Sequence, residues 1–134
     1  MIDVDALKIL KDANLRPTKQ RVSLVNNIYK YGNRHVNAEI LHKEILDTGD
    51  NVSLATVYNT LHHLTNLGFL RQVKINARQN YFDTNITAHH HFFDISNNSL
   101  IDISKDLIKI QGIPTPPKNK TVSDIEVIIS IKNK

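Results

Sequence analysis

The 134-residue sequence predicts an α+β fold in which helices come first and short strands follow. Four segments between residues 3 and 67 carry apolar residues at helical spacing, and each begins with a residue that can cap a helix. From residue 69 onwards the apolar residues form short β-branched runs separated by turn residues. We therefore predict a helical domain that ends in a hairpin, residues 1–83, and a small strand-rich domain, residues 84–134.

The first three predicted helices each have a cap residue and one apolar side. The first runs from Asp3 to Asn14, the second runs from Thr18 to about Tyr31, and the third covers residues 38–47 after the cap Asn37. The predicted inward residues are Val4, Leu7, Ile9 and Leu10 in the first helix, Val22, Val25, Ile28 and Tyr29 in the second, and Ile40, Leu41, Ile45 and Leu46 in the third.

The fourth predicted helix begins at Ser53, ends before Gly68 and has an uncharged polar side. Its inward residues are Leu54, Val57, Leu61 and Leu64, and its opposite side carries Thr56, Tyr58, Asn59, Thr60, His62 and His63. An uncharged polar side of this kind can contact the edges of DNA bases. Asn can form two hydrogen bonds with adenine, and apolar groups can contact the thymine methyl group. A hairpin over 69–75 and 80–83 follows, so three helices and a hairpin predict a winged helix-turn-helix. On periodicity alone, an ordinary amphipathic helix with a hairpin is the more frequent explanation.

The positive charge lies in the first part of the chain. Residues 1–80 hold eleven Lys and Arg against seven Asp and Glu, whereas residues 81–134 hold six of each. All five arginines are in the first part: Arg16, Arg21, Arg34, Arg71 and Arg78. Lys19 and Arg21 come in the first turn of the second helix, where a partner anion or chance placement explains them equally well. Arginine binds phosphates and enters narrow minor grooves, as a protein that binds double-stranded DNA requires. A solvated, mildly basic surface is the alternative, and charge alone does not decide between them.

The strand-rich part predicts a small sheet that needs a partner. Strands are expected over 92–95, 100–103 and 122–131, with a brief helix over 106–111. A three-stranded sheet rich in β-branched residues cannot bury its apolar surface alone, so we expect a homodimer.

Composition excludes several classes of protein. The chain has no cysteine, so a metal would be bound by His, Asp or Glu. No apolar run is long enough to cross a membrane and no signal peptide is visible, which predicts a cytoplasmic protein. The sequence has no HExxH motif, no glycine-rich phosphate loop and no nucleophile beside a base. We therefore expect no enzyme, with a histidine-ligated metalloenzyme as a remote alternative.

Three consecutive histidines, His89, His90 and His91, are the main candidate ligands. In an extended segment His89 and His91 point to one side and His90 points to the other. Imidazole binds divalent metals and is the usual axial ligand of haem iron. His62 and His63 are expected to be exposed near DNA, and His42 is expected on the surface of the third helix.

Three motifs together resemble the ferric uptake regulator (Fur) family of bacterial repressors. They are LRPTKQRVSLVNNIY (15–29), HVNAEILHKEI (35–45) and SLATVYNTLHHLTNLGFLRQV (53–73). The resemblance implies a dimer with an N-terminal winged helix that binds AT-rich operators and a C-terminal α/β dimerisation domain. The DNA-binding residues expected from the resemblance and the charge pattern are Arg16, Lys19, Arg21, Ser53, Ala55, Thr56, Tyr58, Asn59 and Arg71.

Two differences from most members of that family resemble its iron response regulator (Irr) branch. Asn59 stands where most members have arginine, and residues 95–99 lack the paired CxxC zinc ligands. That branch implies a response to haem, here bound by His89, His90 and His91, with sensing of free Fe, Mn or Zn as the alternative. The family's hinge metal site implies His35, Asp83 and His91 with Asp102, while Phe93 occupies its last histidine position. A ligand there would change the angle between the DNA-binding halves of the dimer and thereby regulate transcription.

Overall fold

The computed structural model describes residues 5–134 and has the predicted α+β fold. The chain divides into two compact units, unit 1 (Met1–Ile86) and unit 2 (Thr87–Lys134). The predicted boundary, after Asp83, lies just before this division. Among the described residues, no helix combines the length and the apolar character that crossing a membrane requires.

The described part of unit 1, from residue 5 onwards, contains four helices, and local capping explains where each begins. They are α1 (Ala6–Asp12), α2 (Lys19–Tyr29), α3 (Ala38–Asp47) and α4 (Leu54–Asn66). The side chains of Thr18, Asn37 and Ser53 accept hydrogen bonds from backbone N–H groups in the first turns of α2, α3 and α4, which confirms three predicted caps. The predicted first cap, Asp3, lies outside the described residues; Asp5 caps α1. α1 is consequently shorter than predicted.

Unit 1 also has three short strands among its described residues. They are β1 (His35–Val36), β2 (Arg71–Lys74) and β3 (Asn80–Asp83), in the antiparallel order β1-β3-β2. The β2–β3 hairpin after α4 confirms the predicted hairpin, although its first strand is shorter than 69–75. The sequence did not predict β1, because a two-residue strand is too short to show a period.

The core of unit 1 lies between α2, α3, α4 and Phe82. The predicted burial or exposure of the following five side chains was wrong. Leu7, Ile40, Leu46 and Leu54 are 59%, 46%, 44% and 37% exposed, because each lies at the edge of its helix's apolar stripe. Thr60, predicted on the exposed side of α4, is 3% exposed, and its hydroxyl donates to the Thr56 carbonyl. Val4 lies outside the described residues.

Unit 2 is a three-stranded sheet with β4 (His89–Asp94) at its centre. β5 (Ser99–Ser104) pairs antiparallel to β4, and β6 (Ile128–Ile131) pairs parallel to it. The prediction of a strand over 122–131 was too long, because pairing with β4 begins only at Ile128 opposite His91. The predicted helix over 106–111 is a single 3-10 turn, Lys105–Leu107, since so short a segment cannot offset the cost of helix nucleation.

Unit 2 leaves many large apolar side chains exposed in the single chain. The buried apolar residues described in this unit are Phe93 and Ile103. Exposed ones include Ile95, Ile101, Leu107, Ile110, Ile113, Val122 and Ile129. This sheet therefore has a small core of its own.

Candidate metal cluster and nucleic-acid interface

Two of the three consecutive histidines meet one aspartate. β4 is extended, so His89 and His91 lie on the same side, and β5 places Asp102 directly opposite His91. The Nε2 atoms of His89 and His91 are 3.3 and 3.2 Å from the same Asp102 oxygen, Oδ1. Two imidazole nitrogens and a carboxylate oxygen thus lie together within unit 2.

Each of these two imidazoles faces hydrogen-bond acceptors at both ring nitrogens. Nδ1 of His89 is 2.5 Å from the Thr87 carbonyl oxygen, and Nδ1 of His91 is 2.9 Å from Glu126 Oε1. A neutral imidazole carries only one N–H. On each ring, both nitrogens are therefore satisfied only if a second proton is added or a cation lies between the ring and an acceptor.

The donor atoms fit a small divalent cation. Two ligands about 2.0–2.1 Å from a tetrahedral zinc ion lie about 3.3 Å apart. The two Nε2–Oδ1 distances, 3.3 and 3.2 Å, match this spacing. Imidazole and carboxylate are also ligand types that zinc, iron and manganese accept. His89, His91 and Asp102 could therefore hold such an ion.

His90 has a different environment from its neighbours. Its Nδ1 accepts a hydrogen bond of 2.9 Å from the backbone N–H of Val127. His89, His90 and His91 are 6%, 5% and 0% exposed. The structure thus separates the predicted haem-binding set into a pair beside Asp102 and a third ring attached to the β6 side of the sheet.

The other two predicted metal ligands, His35 and Asp83, pair within unit 1. They lie opposite each other on β1 and β3, and Nε2 of His35 is 3.1 Å from Asp83 Oδ2. Asp83 is 1% exposed, and its Oδ1 accepts from the backbone N–H of Asn85 at 2.9 Å. The predicted set of four therefore has two members in each unit.

Sequence reasoning omitted His89 from the metal set and did not find Glu126. The spacing of His89 and His91 already indicates that they share one side of a strand. Glu126 lies 35 positions after His91 and gave no local signal. Phe93, expected at the family's last histidine position, is buried and offers no ligand atom.

The outer side of α4 is exposed and uncharged, as the prediction requires. Ser53, Ala55 and Asn59 are exposed, Tyr58 is 36% exposed and Thr56 is half-buried. The exposed ring of His62 stacks on Tyr58 and contacts the buried Phe82 ring edge-on, with centroid distances of 6.2 and 5.4 Å. Aromatic contacts therefore fix the middle of this surface.

Glu39 on α3 binds the hydroxyl of Tyr58. The hydroxyl donates to Glu39 Oε1 at 2.7 Å. This hydrogen bond, with a smaller effect of burial, raises the pKa of Tyr58 above its ordinary value of 10.0. A phenol that donates to a carboxylate keeps its proton, so Tyr58 presents a neutral, oriented hydroxyl. The sequence analysis did not identify Glu39.

Two histidines of unit 1 make structural hydrogen bonds. His63 Nε2 is 2.8 Å from the Ala13 carbonyl oxygen, and His42 Nε2 is 2.9 Å from that of Val52. Both side chains are half-buried. The prediction of an exposed His63 was wrong, because its ring uses a nitrogen to satisfy a backbone carbonyl. His42 lies on the third helix as predicted, although the same kind of contact covers part of its ring.

The predicted phosphate-binding cations differ in exposure. Arg16 and Lys19 are exposed. Arg21 is half-buried, and its guanidinium donates to the Arg16 carbonyl at 3.0 Å. Arg71 is half-buried on β2, opposite Asp83 in strand register. These side chains thus include fully exposed charges and partly buried ones.

A sequence model of the ferric uptake regulator family matches residues 12–129. The chain belongs to the ferric uptake regulator family. Fur proteins are dimeric, metal-responsive DNA-binding regulators of transcription and not enzymes. This agrees with the α+β fold and with a cluster of metal-binding side-chain types in unit 2.

Relatives in sequence and structure agree with membership of the Fur family. The ferric uptake regulation protein of Vibrio parahaemolyticus is 28% identical over 106 residues, which cover 78% of this chain and 71% of that protein. The ferric uptake regulation protein of Shigella flexneri is 31% identical over 101 residues, which cover 75% of this chain and 68% of that protein.

Solved structures show the same fold. The Pseudomonas aeruginosa regulator, determined with manganese, superposes with a TM-score of 0.71 at 20% identity, over 98% of this chain and 99% of that chain. The Vibrio cholerae Fur superposes with a TM-score of 0.74 at 21% identity, over 96% of this chain and 100% of that chain.

Proposed function

We propose that this Fur protein is a dimeric repressor or activator whose affinity for operator DNA depends on a divalent metal ion bound by His89, His91 and Asp102. The observation that carries the proposal is the pair of imidazole nitrogens facing one carboxylate oxygen at 3.3 and 3.2 Å. When bound, such an ion would satisfy both nitrogens and compensate the charge of Asp102. Iron, manganese and zinc are the candidates, since the related Fur structures include one with manganese and one with iron.

Further ligands come from the resemblance to the Fur hinge site. His35 and Asp83, which pair in unit 1, are predicted to belong to the same metal set as His91 and Asp102. This part of the set remains a prediction from the sequence. If metal binding and DNA binding are coupled, each must change the affinity of the other by the same factor.

The DNA interface is proposed to be the outer side of α4. Tyr58 and Asn59 would read base edges in the major groove of an AT-rich operator, with Ser53, Ala55 and Thr56 in contact beside them. The phosphate-binding side chains would be Lys19, Arg21 and Arg71, with Arg16 reaching the minor groove. The exposed hydroxyl, amide and ring groups of α4 support this assignment.

Substitutions on α4 test the interface against a matched control. With an operator selected from a random duplex library, we expect Tyr58→Ala and Asn59→Ala each to weaken binding about tenfold or more, because a good base contact contributes about 1–3 kcal/mol. Asn66→Ala, at the other end of the same helix, should bind as wild type. Gel-shift titrations in which all three variants match wild type would refute the interface.

The phosphate assignment has a separate signature. Replacing Lys19 with alanine should weaken binding to operator and unrelated DNA alike, and should reduce the salt slope by about one. A sequence-selective loss would instead assign Lys19 to base contact.

The metal dependence is tested by titrating metal-depleted protein with Mn²⁺, Fe²⁺ or Zn²⁺ in the same gel shift. Operator affinity should rise or fall with metal in wild type and remain constant in His91→Ala. An unchanged affinity in wild type with all three ions would refute the regulatory proposal, whichever residues bind DNA.

Homodimerisation is proposed to use unit 2. Its exposed Ile95, Ile101 and Ile129 give the sheet apolar surface that a second copy would cover. We expect sedimentation to give a dimer, and Ile101→Asp to shift the population towards monomer. The cytoplasmic location remains a prediction from the sequence.

Haem is the second candidate ligand, from the resemblance to the Irr branch and from the run His89, His90 and His91. The burial of all three rings favours a small ion, because an axial ligand must reach haem iron in an open pocket. A Soret shift on haem addition that disappears when the three histidines become alanine would support haem, whereas an unchanged shift would assign it to non-specific binding.

A further inference from the structure

Glu126 lies two residues before the start of β6 and faces His91, the most buried of the three histidines. Its Oε1 is 2.9 Å from Nδ1 of His91. The His91 side chain is 0% exposed and that of Glu126 is 20% exposed, so water has little access to this contact. An imidazole nitrogen in such a position must find its partner in the protein.

The backbone around Glu126 is fixed on β4 by further hydrogen bonds. The His91 N–H donates to the Val127 carbonyl at 3.1 Å, and the Val127 N–H donates to His90 Nδ1 at 2.9 Å. Pairing of β4 with β6 begins at the next residue, Ile128. The backbone of Glu126 is therefore held beside His91 by the strand pairing that follows it.

The contact decides which nitrogen of His91 carries its proton. Both ring nitrogens of His91 face carboxylates, which can only accept. Glu126 is nearer than Asp102, at 2.9 against 3.2 Å, and less exposed, at 20% against 43%, so the proton is placed on Nδ1 and Nε2 keeps a lone pair. His89 has the same arrangement with a neutral partner, the Thr87 carbonyl. His91 thus differs from His89 in having a charged partner, and a charged partner makes an imidazole a stronger donor to metal.

We propose that Glu126 is a positioning residue that fixes the His91 tautomer with Nε2 towards Asp102 and thereby strengthens metal binding. This inference rests on the proposed function, because it concerns the same metal cluster. Glu126 does not itself contact the ion. Its removal would leave the His91 ring free to carry its proton on either nitrogen.

The first test measures Zn²⁺ affinity of the full chain by competition with a chromophoric chelator. We expect Glu126→Ala to bind about 10–100-fold more weakly, the usual cost of losing such a partner. Glu126→Gln should lose less, because its amide oxygen still accepts from Nδ1. Asp106→Ala, which removes an exposed carboxylate from the same unit, should bind as wild type.

The second test measures the tautomer directly by long-range ¹H–¹⁵N NMR of the histidine rings, with the His91 signals assigned by their loss in His91→Ala. Metal-free wild type and Glu126→Gln should show the Nδ1–H form of His91, and Glu126→Ala should show a mixture or the Nε2–H form. If Glu126→Ala does not fold, as judged by circular dichroism, a Zn²⁺ affinity of Glu126→Gln equal to wild type overturns the proposal.

The outcomes separate the two proposals. If His91→Ala binds Zn²⁺ as tightly as wild type, the metal site itself is wrong. If His91→Ala loses binding but folded Glu126→Ala retains wild-type affinity and the Nδ1–H tautomer, only the role of Glu126 is overturned.

Discussion

Histidines have different environments in the two units. In unit 1, His42 and His63 each bind one backbone carbonyl through Nε2, at 2.9 and 2.8 Å. In unit 2, His89 and His91 each face acceptors through both ring nitrogens. A single N–H satisfies the first pair completely, whereas the second pair needs an additional proton or cation.

This difference gives a criterion for reading histidine-rich chains. Burial alone does not identify a ligand, since His90 is buried and its Nδ1 accepts from a backbone N–H. The group that faces the second ring nitrogen of a histidine is a better indication of whether that histidine is a metal ligand. His35 of unit 1 shares one feature with the candidate ligands, because its Nε2 also faces a carboxylate, that of Asp83, at 3.1 Å.

The largest expected effect separates the two kinds of histidine by metal affinity. His91→Ala should weaken Zn²⁺ binding by more than the roughly 100-fold that loss of an outer partner can cost, because it removes a ligand. His42→Ala should leave the affinity unchanged. Isothermal titration with Zn²⁺ measures both affinities. An equal loss of affinity in the two variants would contradict the distinction between the two kinds of histidine.

A smaller effect is expected on the free energy of unfolding when a histidine that binds a backbone carbonyl is replaced. His63→Ala removes the partner of the Ala13 carbonyl, which joins α4 to the end of α1, and should lower the free energy of unfolding by about 1–2 kcal/mol. The adjacent exposed His62, replaced by alanine, should cost less. Urea denaturation measures both; equal losses would show that the hydrogen bond of His63 contributes nothing specific.

The smallest expected effect concerns Tyr58, whose hydroxyl also has a carboxylate as its partner. Since the hydrogen bond to Glu39 raises the pKa of Tyr58, Glu39→Gln should lower that pKa towards 10.0, and the phenolate should form at lower pH. Ultraviolet titration of the tyrosines checks this, with Tyr58→Phe identifying the signal. A titration curve identical in Glu39→Gln and wild type would contradict the contact.

Local features of unit 1 could be predicted from the sequence, whereas side-chain burial at stripe edges could not. The caps Thr18, Asn37 and Ser53 act within one helical turn, so three residues suffice to identify each. Ile40 and Leu46 are apolar but face solvent, because the packing of α3 against its neighbours, and not its period, decides which apolar positions are covered.

The candidate metal cluster could be predicted in part. Alternation along an extended strand places His89 and His91 on one side, and Asp102 came from the resemblance to the Fur hinge site. Glu126 could not be found, because its contact depends on a parallel pairing between β4 and a distant β6. Pairings over long sequence separations leave no periodic trace near either residue.

During translation, the residues of the proposed DNA-binding surface are synthesised before the complete set of residues proposed to support the metal ion. The α4 surface and the Phe82 ring that supports it are complete once residue 82 has been made, but His91 gains its carboxylate partner only after Glu126 has been made. A nascent or prematurely terminated chain that stops before that residue would contain the helix proposed to bind DNA while lacking the support proposed for the ion.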